Sequence, residues 1–287
     1  MDKDILSLIE QSYGGFSKGQ KRIARYIREN FDKAAFMTAS KLGKNAGVSE
    51  STVVRFATEI GYAGYPEMRK ALQEMIRNRL TSVQRIEVAR NVMDSKDTLA
   101  SVLHADMEKI QMTIESVDKE QFDNAVQKIL KARNIYIVGA RTSAALSIFL
   151  GFYFNLLFAN VKMLHESPIS EVFEQVMRVS AEDVIIGISF PRYSKRTIKT
   201  LRLCKDIGAS VIGITDTKTS PVAKIADISL LAKSDMVSFV DSLVAPLSLI
   251  NALIVAVGNE TNEKLNYTFE ELERIWDEYE VYEKAED

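Results

Sequence analysis

VIIGISFPRYSKRT, residues 184–197, runs from a continuous apolar stretch straight into three cations. Val184 to Ile188 contains no polar residue, the mark of a strand buried on both faces. Arg192, Lys195 and Arg196 follow where that strand must end. Lys195 and Arg196 also open the helical pattern KRTIKTLRLCKDI. Basic residues in a first helical turn oppose the helix dipole unless an anion binds there, so the cluster reads as an anion-binding turn.

The same rhythm surrounds it. IYIVGA (135–140), VKML (161–164), SVIGIT (210–215) and ISLLA (228–232) are short, mostly β-branched apolar runs. Helical patterns separate them at 142–158, 169–178 and 195–207, with a short one at 221–226 and a closing helix at 241–260. Strands alternating with helices predict a five-stranded parallel sheet covered on both faces. Ligands of open parallel sheets bind at the carboxyl ends of the strands. A second such end is IVGARTSAAL (137–146), where Gly139 ends a strand and Thr142 and Ser143 begin a helix.

With 287 residues, two domains are expected. A single cysteine excludes an internal disulfide framework and fits a reducing, cytoplasmic compartment. MDKDILSLIEQ has acids early and no long apolar core, so it does not read as a signal peptide. The most apolar stretch, AALSIFLGFYFNLLF (144–158), is shorter than the roughly 20 residues a spanning helix needs. It is expected in a core or at a subunit interface, with no membrane partner. The net charge of −2 conceals an asymmetry: residues 1–90 carry net +6 and residues 91–287 net −8, the acidic tail supplying the deficit. A basic front section suits a polyanion.

That front section reads as capped helices. Ser17 caps KGQKRIARYIREN, Thr38 caps ASKLGKNAG, and Ser49 caps ESTVVRFATEIG. In ASKLGKNAGVSESTVVRFATEIGY (39–62), Gly47 permits the tight turn and Val48 plugs the junction. The second helix is expected to bury Val53, Val54, Ala57 and Ile60. This is helix-turn-helix spacing, whose second helix lies in the major groove. Arg55, Ser49, Ser51 and Thr52 are candidate contacts to bases or phosphates, and Lys41 and Lys44 to the backbone.

TVVRFATEIGYAGYPEMRKAL (52–72) resembles the N-terminal signature of the RpiR/MurR family of bacterial transcriptional regulators. Members join such a domain to a SIS (sugar isomerase) domain, a flavodoxin-like αβα sandwich. The resemblance implies an all-α helix-turn-helix domain at 1–78, a helical linker at 79–110, a SIS domain at 111–260 and an acidic C-terminal helix at 261–287. It also implies double-stranded operator DNA and a phosphosugar-like effector as partners, and a homodimer or homotetramer. The helices at 144–158 and 241–258 are candidate interfaces.

The binding loops depart from the family pattern. Gly139 and Ser143 match a Gly-x-Gly-x-Ser loop, but Arg141 occupies the second glycine position. On the family's Ser-x-Ser-Gly-x-Thr loop, Ser189 and Ser194 match the ends, while Pro191 and Arg192 replace the inner serine and glycine. Two arginines add forks for bidentate contact, which admits a carboxylate or doubly anionic ligand as well as a sugar phosphate. Effector contacts are therefore expected from Gly139, Arg141, Thr142 and Ser143 in the first loop. The second loop would supply Ser189, Arg192, Tyr193, Ser194, Lys195 and Thr197. The alternative role for Arg141 and Arg192 is a structural ion pair with Glu166 or Asp216.

No metal-ligand spacing or dinucleotide fingerprint occurs, so no metal or cofactor is expected. Two histidines, His104 and His165, with Glu166 and Glu171 nearby, form no catalytic constellation. The reading is a ligand-responsive DNA-binding regulator without catalytic residues. Its rival is a phosphosugar isomerase whose N-terminal helices only dimerise it.

Overall fold

The structure, a computed structural model, describes residues 5–77, 97–164, 169–234 and 240–282. Much of the expected linker falls outside the described residues, as do His165 and Glu166. The chain forms two compact units, with the main division between Val102 and Leu103.

The first unit holds α1 (Ile5–Ser12), a 3-10 turn (Tyr13–Gly15), α2 (Lys18–Glu29), α3 (Phe31–Ala34), α4 (Ala39–Ala46), α5 (Glu50–Glu59) and α6 (Tyr65–Arg77). Short-range polar chemistry sets these boundaries. Ser17 and Gln20 form a capping box: the Gln20 N–H donates to Ser17 Oγ at 3.3 Å and the Ser17 N–H to Gln20 Oε1 at 2.8 Å. Thr38 and Ser49 cap α4 and α5 by accepting from the N–H groups of Lys41 and Thr52. Each cap contributes about 1 kcal/mol. Gly47 closes α4 at φ +69°, where a side chain would be strained, and the chain turns directly into α5.

Ile9, Ile23, Ile27, Leu42, Val53, Phe56, Met68 and Leu72 fill the core of this unit. One expectation fails here. Val54 is exposed, and Phe56 takes the buried place beside Val53, Ala57 and Ile60. Positions 53, 56, 57 and 60 form one i, i+3, i+4, i+7 stripe, and position 54 lies off it.

The second unit builds a three-layer sandwich on the strands β1 (Ile135–Gly139), β2 (Val161–Leu164), β3 (Val184–Ile188), β4 (Ser210–Thr215) and β5 (Ile228–Leu231). All pairs are parallel, in the order β2-β1-β3-β4-β5. Its helices are α7 (Thr98–Ser116), which starts before the division, α8 (Lys119–Leu130), α9 (Thr142–Leu157), α10 (Ile169–Val176), α11 (Lys195–Ile207), α12 (Val244–Glu260) and α13 (Asn262–Glu278). Alternate strand residues face opposite layers. Ile135, Ile137, Ile186 and Ile212 pack on α8, α9 and α12. Tyr136, Val138, Ile185 and Val211 pack on α10 and α11. Cys204 belongs to this second core, and burial pushes its thiol up to about 12. The short helix expected at 221–226 is a run of turns instead. Among the described residues no single helix is long and apolar enough to cross a membrane.

α9 and α12 bury one side and leave Ile148, Phe152 and Tyr153, and Val244, Leu247 and Val255, exposed on the other. These lie within the two stretches that the sequence marks as candidate interfaces.

The amino end of the sheet is tied by Asp183, 1% exposed. Its carboxylate accepts from Arg133 Nη2 at 2.6 Å, Asn134 Nδ2 at 2.8 Å and the Ser180 N–H at 2.8 Å. Burial alone would raise this carboxyl; the hydrogen bonds from Arg133, Asn134 and Ser180 and the Arg133 charge outweigh it and hold it at about 2. The folded value lies below the ordinary one of about 4. The interaction therefore stabilises the fold above about pH 4, and this contribution is lost as pH falls toward 2. Thermal melts should show the wild type losing stability across that window more steeply than Asp183→Asn, which starts lower at neutral pH. Parallel curves would remove Asp183 from the acid response.

Candidate functional site

β1 and β3 are adjacent, with Gly139 opposite Ile188, so the loops after them leave the same sheet edge side by side. β2 lies outside β1, and β4 and β5 lie outside β3. The crevice between β1 and β3 is thus the topological switch point of the sheet, where ligands of this architecture bind. The N-termini of α9 and α11 open from these two loops. The partial positive charge at a helix N-terminus favours an anion.

Gly139 allows the first loop to form. A Cβ there would stand 2.1 Å from Ser147 Oγ and 2.7 Å from the Ser143 carbonyl oxygen, so any side chain would push α9 off β1. Arg141 occupies the N-cap position at φ 59°, ψ −127°, a conformation suited to glycine. Thr142 is exposed, whereas Ser143 is 4% exposed and its carbonyl accepts from the Ser147 hydroxyl at 3.1 Å.

The second loop is held by its own hydroxyls. Ser189 Oγ accepts from the Ser194 N–H at 3.0 Å, and Ser194 Oγ accepts from the Thr197 N–H at 3.3 Å. Both hydroxyls use lone pairs in these contacts and keep a proton to donate. Thr197 is fully buried, and its Oγ1 finds no hydrogen-bond partner among the described residues. Such a buried hydroxyl normally has one. Arg192 and Lys195 are exposed at the rim, and Tyr193 and Ser194 are half-buried.

A third loop joins these two. Asp216, 1% exposed, follows β4, the neighbour of β3. Its Oδ1 accepts from the Tyr193 hydroxyl at 2.8 Å and from Thr215 Oγ1 at 3.1 Å. The sequence suggests Asp216 only as an ion-pair partner for the arginines; the bond to Tyr193 comes from the fold. SVIGIT ends in Thr215 as the other strands end in their loops, and that was the available signal.

In the first unit, Lys41, Lys44, Ser49, Ser51 and Arg55 are exposed and Thr52 is half-buried. Ser49 Oγ lies 2.9 Å from Ser51 Oγ and 2.8 Å from Thr52 Oγ1, so these hydroxyls cluster at the start of α5. Arg55 Nε–H donates to the Ser51 carbonyl at 3.4 Å, laying the guanidinium along the helix surface.

A family model for a helix-turn-helix domain, rpiR family, matches residues 3–79, and a SIS domain model matches residues 128–256. The chain belongs to the RpiR family. Like other RpiR-family chains, it is a transcriptional regulator with a helix-turn-helix and a SIS domain. An HTH-type transcriptional regulator of Clostridium perfringens is 23% identical, covering 89% of this chain and 92% of its own length. HexR of Pseudomonas aeruginosa is 25% identical, covering 89% of each chain. The sugar isomerase domain of an RpiR transcription factor from Sphaerobacter thermophilus is 28% identical, with a TM-score of 0.60 over 62% of this chain and 99% of that one. Vibrio vulnificus NanR, solved with ManNAc-6P, is similar in fold: TM-score 0.59, 20% identity, covering 98% of this chain and 100% of that one.

The backbone of Arg141 gives this RpiR-family chain a separable test. A residue held in such a conformation stores of order 1–3 kcal/mol, partly offset in a glycine variant by the freedom of the unfolded chain. Arg141→Gly should therefore raise the unfolding free energy by about 1 kcal/mol. Urea denaturation measures this, and an unchanged or lowered midpoint would show that Arg141 is not strained.

Proposed function

We propose that this regulator binds operator DNA as a homodimer or homotetramer through α4 and α5. Its SIS domain responds to an anionic small molecule, a phosphosugar or related metabolite, without transforming it. Residues 1–78 serve the DNA and residues 111–260 the effector. The effector's anionic group sits between the loops 139–143 and 189–197, oriented by the hydroxyls of Ser143, Ser189, Ser194 and Thr197 and paired with Arg141 and Arg192. The observation that carries this reading is the convergence of two helix N-termini and these cations at the sheet's switch point. The exposed apolar faces of α9 and α12 supply surface for self-association.

For the DNA reading, a labelled duplex from upstream of the protein's own gene is titrated at increasing salt. Affinity should fall steeply, with a slope of about −0.9 per phosphate neutralised. Arg55→Ala should lose roughly 1–3 kcal/mol of specific binding with the fold intact. A flat salt dependence would argue against DNA as the partner.

For the effector reading, calorimetric titrations of sugar phosphates and small carboxylates compare the wild type with Arg192→Ala. The variant should bind the effector about tenfold or more weakly and keep its basal DNA affinity. Tight binding of a neutral sugar, or turnover in an aldose–ketose isomerisation assay, would overturn the sensor reading.

A further inference from the structure

α5 carries an apolar side chain that the core does not use. Val53, Phe56, Ala57 and Ile60 are buried, and Val54 stands 41% exposed. It shares the outward face of α5 with Glu50, Ser51, Arg55 and Thr58, all exposed. A β-branched residue there lowers helix propensity and gains little burial in return. Its neighbours carry hydrogen-bonding groups with local partners: Arg55 Nε–H on the Ser51 carbonyl, the Thr58 hydroxyl on the Arg55 carbonyl at 2.9 Å, and Ser51 Oγ beside Ser49 Oγ. Val54 offers only methyl groups.

The surroundings indicate what those methyl groups meet. Lys41 and Lys44 are exposed on α4, and the unit around them is basic, which complements a polyanion. An apolar partner within a polyanion is a narrow specification. Of the groups on the base edges of the major groove, the thymine C5-methyl is the apolar one. A helix-turn-helix presents the early part of its second helix to those edges. Val54 lies in the second turn of α5, one turn beyond Glu50.

We propose that Val54 reads a thymine methyl group in the major groove and so fixes a T·A pair in each half-site. The proposal rests on the DNA-binding reading above and adds to it a specificity-determining residue and the base it selects.

The test removes the methyl from the DNA rather than from the protein. Duplexes are first selected from a random-sequence library with the full-length wild-type protein. Each thymine of the selected site is then replaced singly by deoxyuridine, which deletes the C5-methyl and leaves base pairing intact. For the wild type, one position per half-site should lose roughly fourfold in affinity, the worth of one buried methyl-sized group. Val54→Ala, an exposed substitution, should be indifferent to deoxyuridine at that position and keep the wild-type response at the others. Deoxyuridine tolerated everywhere by the wild type would overturn the proposal, as would a Val54→Ala protein that keeps the full sensitivity. Sedimentation of both proteins guards against a structural role: a lower mass for Val54→Ala would assign Val54 to an interface between copies and likewise overturn it. A wild-type protein that binds no duplex at all would bring down the DNA-binding reading itself, a result distinct from duplex binding that ignores the methyl.

Discussion

The parallel pairing of β1 with β3 is the contact on which the SIS unit depends. It sets Gly139 against Ile188. Because β2 lies on one side of this pair and β4 on the other, the two connections leave in opposite directions and a crevice opens between them. α9 packs on one face of the sheet and α11 on the other, yet both begin at the same edge. The two helix dipoles therefore converge at that edge. The missing side chain at Gly139 completes it, since α9 starts almost in contact with the strand.

Charge is distributed against the average of its surroundings. Residues 91–287 are acidic overall, yet Arg141, Arg192, Lys195 and Arg196 gather at one edge of their sheet. That net charge disfavours small anions at a distance, so an anionic effector of the kind proposed above would rely on short-range contacts. Screening by salt limits the long-range part to about 10 Å, while paired groups inside the crevice are screened far less. The basic N-terminal section has the opposite arrangement, with exposed cations suited to a polymer of phosphates.

Much of this was legible in the sequence because its causes are local. Ser17, Thr38 and Ser49 each cap the helix that follows, and Gly47 ends α4, because caps depend on three or four neighbouring residues. The strands were visible because burial on both faces leaves unbroken apolar runs such as Val184 to Ile188. What escaped depends on phase or on distant pairing. Val53, Val54, Phe56 and Ala57 crowd one helix, and choosing the buried set requires the helical phase that packing fixes. The bond between Asp216 and Tyr193 exists because β4 lies beside β3, a long-range fact. Pro221 and the residues after it were too short a stretch to hold a helix, and they form turns. The backbone angles of Arg141 leave no trace in side-chain chemistry.

Cys204 has a consequence of a different kind. It is the chain's one thiol, it sits wholly inside the layer between the sheet and α11, and burial keeps it protonated far above neutral pH. Thiolate is the reactive form, so an alkylating reagent attacks this side chain only when that layer opens. The rate of modification therefore counts openings of the SIS unit, one residue serving as an internal clock without any engineered label.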